Sequence, residues 1–400
     1  MPASVISGKP VPRLPSPTAV RLAVFYAAFF TVIGTIQPFW PLWLAGKDLS
    51  ATQIGLALAI GVGAKVIGLP IAAHFADRRG ERRRPMLILS ALSTVAFAVF
   101  WLTESFWPIV LVSLVFFSLW PPVMSLGESL TVMAARIHGF EYGRVRLWGS
   151  LGYIATALAA GTALTSLPAS AVFWMILAGV ALTTLSCATL PELRAARSRS
   201  HRLPILETLS QRHFLPMLIA CGLIQGSHAV YYAFATLHWR AAGYSETVIG
   251  ALWAWGVICE VVLFAFGAAA VRRCGGTGLI ALAGIAATVR WIGTGLGDDL
   301  PVLVALQTLH AASFGAAHLG AMHWMGRHVD PSLSATAQSL YSAIVFGLFL
   351  GGLLWAAGWL YAELHGAAFL PMAAIGLAGA VCGLWLLWRE GGAGTVPNGP

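Results

Sequence analysis

Charged side chains are scarce in this sequence. Asp, Glu, Lys and Arg make up only 10% of the 400 residues, against 58% that are hydrophobic, and the mean hydropathy is +0.79. A soluble domain carries about 25% charged residues and uses them to cover its surface. The composition therefore excludes a soluble enzyme, a nucleic-acid-binding domain and a disordered protein. It indicates a protein that crosses the membrane many times.

Several sequence signatures are also missing. The five cysteines form no CxxC pair and no metal-ligand spacing, so we expect free thiols, no bound metal and no cofactor. No GxxxxGK[ST] motif is present, which excludes an ATP-driven motor in this chain, and neither HExxH nor GxSxG occurs. The absence of a run of Arg at every third position argues against a voltage-gated channel.

Twelve apolar segments follow one another along the chain, and each is long enough to span a bilayer as a helix. They cover about 21–45, 52–76, 85–103, 107–134, 146–166, 170–190, 214–238, 247–271, 277–297, 300–325, 335–361 and 366–388. The longest polar stretch separates the sixth from the seventh. The sequence thus predicts an all-α membrane protein with twelve helices in two six-helix bundles.

The domain boundaries follow from these segments. We expect a disordered, proline-rich tail at 1–20, a first bundle at 21–190, a basic linker at 191–213, a second bundle at 214–388 and a tail at 389–400. With the N-terminus inside, twenty Lys and Arg residues lie on the cytoplasmic side and two, Lys47 and Arg240, lie outside. The positive-inside rule therefore places both termini in the cytoplasm, and it accounts for the net charge of +9 without nucleic acid.

Four charged residues fall inside apolar segments, namely Lys65, Glu128, Glu260 and Arg290. A charge facing lipid is costly, so each is expected to face the bundle interior or a watery cavity. Ion bridges that hold helices together are one interpretation. A functional role for the two acids is the other, because acids inside membrane segments are functional candidates.

Two apolar segments also carry a one-sided polar stripe. In the seventh and the tenth segment, the polar and aromatic residues recur at helical spacing, so each set shares one helix face. The sets are Gln225, His228, Tyr232 and Thr236, and Gln307, His310, Phe314 and His318. Hydrogen bonds between helices are one explanation, and the lining of a polar cavity is the other. His can exchange protons near neutral pH, whereas the spacing does not suggest a metal site.

The loop after the second segment carries a family signature. It reads His74-Phe75-Ala76-Asp77-Arg78-Arg79-Gly80-Glu81-Arg82-Arg83-Arg84 and resembles the cytoplasmic motif of the major facilitator superfamily, an Asp followed by basic residues. Ala73 stands where that family usually has Gly, and the repeat after the eighth segment, at Arg272 and Arg273, lacks the Asp. The resemblance implies that this loop takes part in gating.

Further stretches resemble the 3-phenylpropionate transporter branch of this superfamily. They are 142–150, 225–232, 241–245, 290–291 and 338–343, together with His310 and His318. The resemblance covers nearly the whole chain beyond the tail. It implies a two-lobed proton symporter with one central cavity.

The placement of Glu128, Glu260, Arg290 and His318 is also similar to the lactose permease, in which buried charges bind sugar and couple protons. That family has a further acid on the tenth helix, and none is found here. We therefore expect Glu260 to take the proton, with Arg290 near enough to set its pKa.

The predicted site residues follow from these arguments. Proton coupling is assigned to Glu260, His318 and Glu128. Substrate binding is assigned to Arg290, Lys65, Gln37, Trp40, Gln225, His228, Tyr231, Tyr232, Trp291, His310, Phe314 and Tyr341. Gating is assigned to Asp77, Arg78, Arg82, Arg144 and Arg146. A cation would bind a substrate carboxylate, and aromatic side chains would enclose a ring.

The function that fits best is proton-coupled uptake of a small aromatic acid across a bacterial inner membrane, by alternating access. The partners are then a small molecule, protons and the lipid bilayer, with no nucleic acid, and the chain would work as a monomer. A neutral substrate, a sugar or nucleoside bound through Glu128, Gln225 and His228, is an alternative, as is export. Two alternatives from other functional classes are a membrane-embedded enzyme and a lipid scramblase. No nucleophile, base and oxyanion donor can be assembled from this sequence for an enzyme.

Overall fold

The computed structural model describes residues 16–193 and 205–393, and every element in these residues is a helix. Eleven helical stretches are long and apolar enough to cross a membrane. The chain is therefore an all-helical, multi-pass integral membrane protein.

Sixteen α-helices follow in chain order. They are α1 Pro17–Ala45, α2 Ala51–Arg79, α3 Arg83–Val99, α4 Phe106–His138, α5 Tyr142–Leu164, α6 Ala171–Thr189, α7 Ile205–Leu209, α8 Phe214–Gly226, α9 Ala229–Ala241, α10 Glu246–Ala265, α11 Gly267–Leu296, α12 Leu300–Thr308, α13 Ala316–His328, α14 Ser334–Tyr341, α15 Leu350–Leu364 and α16 Phe369–Ala393. Shorter 3-10 turns lie at Phe100–Leu102, Pro331–Leu333 and His365–Ala368, and π-helical turns at Ala311–Gly315 and Ser342–Phe349.

The ends of the described chain differ from the sequence prediction. The first helix begins at Pro17, inside the tail predicted for 1–20, because Ser16 caps it by accepting from the Ala19 amide and Pro17 suits a first helical position. The last helix continues to Ala393, inside the tail predicted for 389–400. The linker predicted for 191–213 contains the short helix α7. The rest of the two tails and residues 194–204 of the linker lie outside the described residues.

Several predicted segments are not continuous α-helices. The seventh is divided into α8 and α9 at Ser227 and His228, and the eighth is interrupted at Phe266 between α10 and α11. The tenth and eleventh contain the two π-helical turns. Ser227 donates a hydrogen bond to the Ile224 carbonyl at 2.7 Å, and Ser313 one to the His310 carbonyl at 3.4 Å. Such bonds compete with the helical ladder. A helix prediction from the spacing of apolar residues does not take these side-chain hydrogen bonds into account.

One apolar stretch is far longer than a single crossing. It runs from Thr336 to Glu390, 55 residues, and turns at His365, where φ is 48° and ψ is −124°. The two parts pack differently, α15 against α2 and α16 against α11.

Most contacts between helices lie within the first part of the chain or within the second part. In the first part of the chain, α1 packs on α5 and α6, and α3 packs on α4 and α6. In the second part, α11 packs on α13 and α16, and α8 packs on α16. Contacts between the two parts come from α5 with α10, α2 with α15, and α1 with α9. These last contacts position the residues described next.

Candidate functional site

A buried guanidinium lies at the centre of the second part. Arg290 of α11 is 1% exposed, and its Nη1 donates to His310 Nδ1 at 3.0 Å and to Ser313 Oγ at 3.4 Å. Its Nη2 donates to Gln307 Oε1. The rings of Tyr231 and Trp291 lie 4.3 and 4.5 Å from its Cζ atom. Within the described chain, no carboxylate forms a hydrogen bond with this cation.

His310 connects Arg290 to Glu260. Because Arg290 can only donate, the His310 Nδ1 atom accepts, and the proton of the neutral ring is assigned to Nε2. This Nε2 lies 3.8 Å from Glu260 Oε2, which is too long for a hydrogen bond. The sequence predicts that Arg290 acts on Glu260 directly. The structure instead places His310 between them.

His228 and Gln225 complete the polar cluster. His228 Nδ1 lies 3.0 Å from the Ile224 carbonyl, and its Nε2 lies 3.2 Å from Ser313 Oγ. Gln225 Nε2 donates to the Phe314 carbonyl at 3.1 Å. Ser313 therefore bridges His228 and Arg290. Ser313 is not among the residues predicted from the sequence, although it lies three residues after His310 on the same helical face.

The aromatic residues predicted to bind substrate lie around this cluster. Tyr231 also accepts a hydrogen bond from Gln307 Nε2 at 3.3 Å, and Tyr232 stacks beside His228 with centroids 5.8 Å apart. Phe314 stacks on His310 at 5.4 Å. A residue that the sequence did not reveal, Trp253 of α10, lies against Tyr231 at 4.3 Å.

His318 and Tyr341 form a separate contact. Their ring centroids are 6.0 Å apart, and Tyr341 also packs on Phe346. The structure thus brings His310, rather than His318, next to Glu260. Both histidines lie on one helical face, so the sequence could not distinguish them.

A second charged pair lies in the first part of the chain. Arg146 Nε lies 3.7 Å from Glu128 Oε1, and the Arg146 Cζ atom lies 4.4 Å from the centre of the Phe30 ring. The side chains of Arg146 and Glu128 are 31% and 45% exposed. Arg146, which was assigned to gating, therefore pairs with an acid that was assigned to proton coupling.

Three predicted substrate residues lie apart from these clusters. Lys65 of α2 is partly buried, and no ion pair or hydrogen bond joins it to another side chain in residues 16–193 and 205–393. Trp40 stacks on Trp43 at 4.4 Å within an aromatic core. Gln37 is partly exposed and adjoins Pro38, whose carbonyl accepts from Thr236 Oγ1 at 2.5 Å.

The residues assigned to gating lie in two places, at the end of α2 with its following loop and at the start of α5. Arg82 is 8% exposed, and its Nε donates to Ser129 Oγ of α4 at 3.2 Å. Arg144 pairs with Glu141 of its own turn at 2.8 Å on the surface. Arg78 is exposed near the end of α2, and the Asp77 side chain lies outside the described part. The contact between Arg82 and α4 therefore links this loop to a helix that carries Glu128.

Comparison with known proteins identifies the family. A family model described as "MFS_1 like family" matches residues 19–370. The chain belongs to the MFS_1 like family. This confirms the major facilitator membership predicted from the sequence. The probable 3-phenylpropionic acid transporter of Escherichia coli K12 is 30% identical over 367 residues, which cover 89% of this chain and 94% of that protein.

More distant relatives are also permeases. The maltose permease of Geobacillus stearothermophilus is 26% identical over 381 residues, covering 93% of this chain and 95% of that protein. The solved structure of the nucleoside transporter NupG superposes with a TM-score of 0.79 at 15% identity, covering 93% of this chain and 99% of that chain. The last likeness shows the fold alone. Together, these findings make the chain a transporter of small molecules and not an enzyme.

Proposed function

We propose that the protein takes up a small organic acid, of the aromatic class, together with protons across the bacterial inner membrane. This proposal rests on one observation, the series Glu260, His310 and Arg290 among the membrane-spanning helices. Glu260 Oε2 lies 3.8 Å from His310 Nε2, and His310 Nδ1 lies 3.0 Å from Arg290 Nη1. The relative from Escherichia coli, named for 3-phenylpropionic acid, supports this substrate class.

Twelve membrane crossings fit the helices best. An α-helix rises 1.5 Å per residue, so 55 residues would extend about 80 Å, more than twice the about 30 Å core of a bilayer. The turn at His365 therefore separates an eleventh from a twelfth crossing. The asymmetry of Lys and Arg then places both termini in the cytoplasm, with two six-helix bundles joined by the 191–213 linker, in a protein that works as a monomer.

Alternating access accounts for the contacts between the bundles. They meet where α2 and α10 begin: Thr165 Oγ1 lies 2.9 Å from Thr247 Oγ1, and Thr236 bonds to Pro38. In the proposed orientation this is the outer end. Glu128 and Arg146 are partly exposed toward the proposed inner end, which supports an inward-facing state. The end of α2, with Asp77 and Arg78, and Arg82 just after it would close that end in the opposite state.

Glu260 is the proposed proton carrier. Arg290 donates a hydrogen bond to the Nδ1 atom of His310. His310 therefore cannot bind a second proton at Nδ1 without losing this hydrogen bond. Glu260 has no such restriction, and its side chain is 18% exposed. His310 and Arg290 then act as positioning residues that hold a favourable potential beside the carboxylate. Glu128 and His318 remain secondary candidates for the proton.

The decisive experiment is uptake into proteoliposomes with an imposed and then collapsed proton gradient, using 3-phenylpropionate, other aryl acids, maltose and a nucleoside. We expect gradient-dependent accumulation of an aryl acid by the unmodified protein and its loss in Glu260→Gln. The matched control is Glu363→Gln, which makes the same change on an exposed surface. Full accumulation by Glu260→Gln would contradict the assignment.

A neutral solute is the second candidate. The exposed Glu128–Arg146 pair can form hydrogen bonds with hydroxyl groups, and the maltose permease is among the relatives. Accumulation of maltose or the nucleoside alone would favour this function. Gradient-driven loss of a preloaded acid would favour export.

A further inference from the structure

A row of basic and aromatic side chains lies where α8 begins and α16 ends. Arg212 Nε donates to His213 Nε2 at 3.1 Å, and the His213 ring stands nearly perpendicular to the Trp385 ring, with centroids 5.7 Å apart. The Arg389 Cζ atom lies 5.2 Å from the centre of the Trp385 ring and 5.3 Å from that of Trp388. Two arginines that are far apart in sequence therefore meet around one indole, and we call these five residues the basic–aromatic row.

The positive charge of this row is not balanced by an acid. Within residues 16–193 and 205–393, no ion pair or hydrogen bond joins Arg212 or Arg389 to a carboxylate. The carboxylate of the next residue, Glu390, accepts hydrogen bonds at 2.8 Å from Thr277 Oγ1 and Trp324 Nε1, on the side of α11 and α13. The first turn of α8 contains no acidic residue. The row therefore keeps its charge available for an external anion.

His213 adds a hydrogen-bond donor to the row. Because the Arg212 guanidinium can only donate, the His213 Nε2 atom accepts, and the proton of the neutral ring is assigned to Nδ1. The backbone of His213 has φ 64° and ψ 7°, in the left-handed region that residues other than glycine seldom adopt. Such backbone is found at sites that hold ligands.

The row lies at the end of a surface that faces lipid. One face of α16 is between 46% and 69% exposed at residues that recur at helical spacing, namely Leu377, Val381, Leu384 and Trp388. On α8, which packs on α16, Leu215 is 49% exposed. Trp side chains collect at the level of the lipid headgroups, and Arg side chains near helix ends extend to the same level. The apolar face therefore lies beside acyl chains, and the arginines lie beside headgroups.

We propose that the basic–aromatic row binds the headgroup of an anionic phospholipid in the inner leaflet. The guanidinium groups of Arg212 and Arg389 offer paired N–H donors to phosphate oxygens, and His213 Nδ1 offers a further donor. The acyl chains of this lipid lie along the exposed apolar residues of α8 and α16. The lipid thereby joins the beginning of the second bundle, where the linker ends, to the last turns of its final helix.

The two arginines select for net negative charge. A zwitterionic headgroup carries its own ammonium, which already neutralises the phosphate, so it gains little from a second and a third cation. An anionic headgroup such as phosphatidylglycerol has no internal cation. Each Lys or Arg near an anionic membrane surface contributes about a fivefold preference, the equivalent of about 1 kcal/mol.

The test compares how strongly two lipids associate with this position. A single cysteine replaces Leu384 in a protein whose five native cysteines are replaced by alanine, and it carries a fluorophore. The labelled protein is placed in phosphatidylcholine vesicles that contain a small fraction of spin-labelled phosphatidylglycerol or spin-labelled phosphatidylcholine as quencher. We expect phosphatidylglycerol to associate about fivefold or more strongly. In Arg389→Gln this preference should fall about fivefold.

Two further variants serve as controls. Arg136→Gln removes one positive charge from an exposed position in the last turn of α4, in the other bundle, and should leave the preference unchanged. Arg389→Lys keeps the charge but loses the planar fork, so its preference should lie between those of the unmodified protein and Arg389→Gln. Equal losses in Arg136→Gln and Arg389→Gln would show a general surface potential and overturn the site.

The remaining outcomes concern the identity of the anion. Equal quenching by the two spin-labelled lipids in the unmodified protein would overturn the proposal. So would a preference that sodium phosphate abolishes while sodium chloride of equal ionic strength does not, because the ligand would then be free phosphate. The measurement needs no transported substrate, so its result is independent of the proposed function.

Discussion

At the scale of single residues, Arg290 shows how a cation is kept inside a membrane protein without a bonded carboxylate. Three neutral groups accept or share its protons, and two aromatic rings lie against its planar face. Cation–π contacts contribute about 2 kcal/mol or more when desolvated, and charged hydrogen bonds about 1.5–3 kcal/mol each. These contacts offset the cost of burial. They also engage the N–H groups of Arg290 that would otherwise bind a substrate carboxylate.

Arg290→Gln should therefore destabilise the protein. The substitution leaves His310 and Ser313 without their donor inside a packed site, so we expect the free energy of unfolding to fall by about 3 kcal/mol. Thermal unfolding in detergent, followed by Trp fluorescence, measures this loss. Arg272→Gln makes the same change at an exposed position and should have little effect. Equal stability of the two variants would show that the buried network contributes nothing.

At the scale of helices, irregular backbone coincides with the polar cluster. The break between α8 and α9 falls at His228, and the π-helical turn Ala311–Gly315 follows His310. π-helical turns inside α-helices are rare and occur frequently at functional sites. His310 before this turn lies beside Glu260, and His318 after it lies against Tyr341. Ser313 lies inside that turn and bonds to both neighbouring helices.

The glycine contacts of α2 and α10 give a prediction for closure at the outer end. In Gly55→Leu, even the Cβ atom of the new side chain would lie 2.7 Å from the backbone of α15. Such overpacking costs about 1–3 kcal/mol. We expect the closed population at this end to fall about tenfold. The readout is labelling of Ala157→Cys, which is buried at the α5–α10 contact, by a membrane-impermeant thiol reagent in intact cells.

Gly63→Leu is the matched control for this experiment. It adds the same side chain to the same helix, at a position where a Cβ meets nothing within 4 Å. Labelling of Ala157→Cys should remain slow in that background. If both leucine variants raise labelling equally, the effect comes from α2 in general and not from the contact with α15.

At the scale of the whole molecule, the bundles meet tightly at one end, and partly exposed charges lie toward the other. In the orientation proposed from the asymmetry of Lys and Arg, the tight end faces the outside. This orientation can be tested without substrate. Glu104 pairs with Lys47 near the start of α2, and Glu192 pairs with Arg83 after α6. Their side chains are 77% and 63% exposed, so both positions are accessible to reagents.

Replacing Glu by Cys at each of these two positions tests which side of the membrane each one faces. Glu104→Cys should react with a membrane-impermeant thiol reagent in intact cells, and Glu192→Cys should react only in inverted membrane vesicles. The reason is that a charged reagent does not cross the hydrocarbon core. The reverse pattern would invert the proposed topology, and it would make the tight end cytoplasmic.

The sequence by itself determined the class of this protein. Scarce charge and long apolar runs follow from the bilayer as solvent, and these properties are local, so they are visible in a single chain. The motif around Asp77 and the resemblance near Gln225 led to the correct family. The four charged residues within apolar segments could also be selected without coordinates, because charged residues are rare inside membrane-spanning helices.

Only the tertiary structure decided which of those residues meet. Glu260 lies beside His310 and not Arg290, Arg146 pairs with Glu128, and Lys65 has no partner in the described residues. The physical reason is that pairing depends on the rotation and axial position of each helix against its neighbours. Periodicity fixes which residues share one face of one helix. It carries no information about which face of another helix lies opposite.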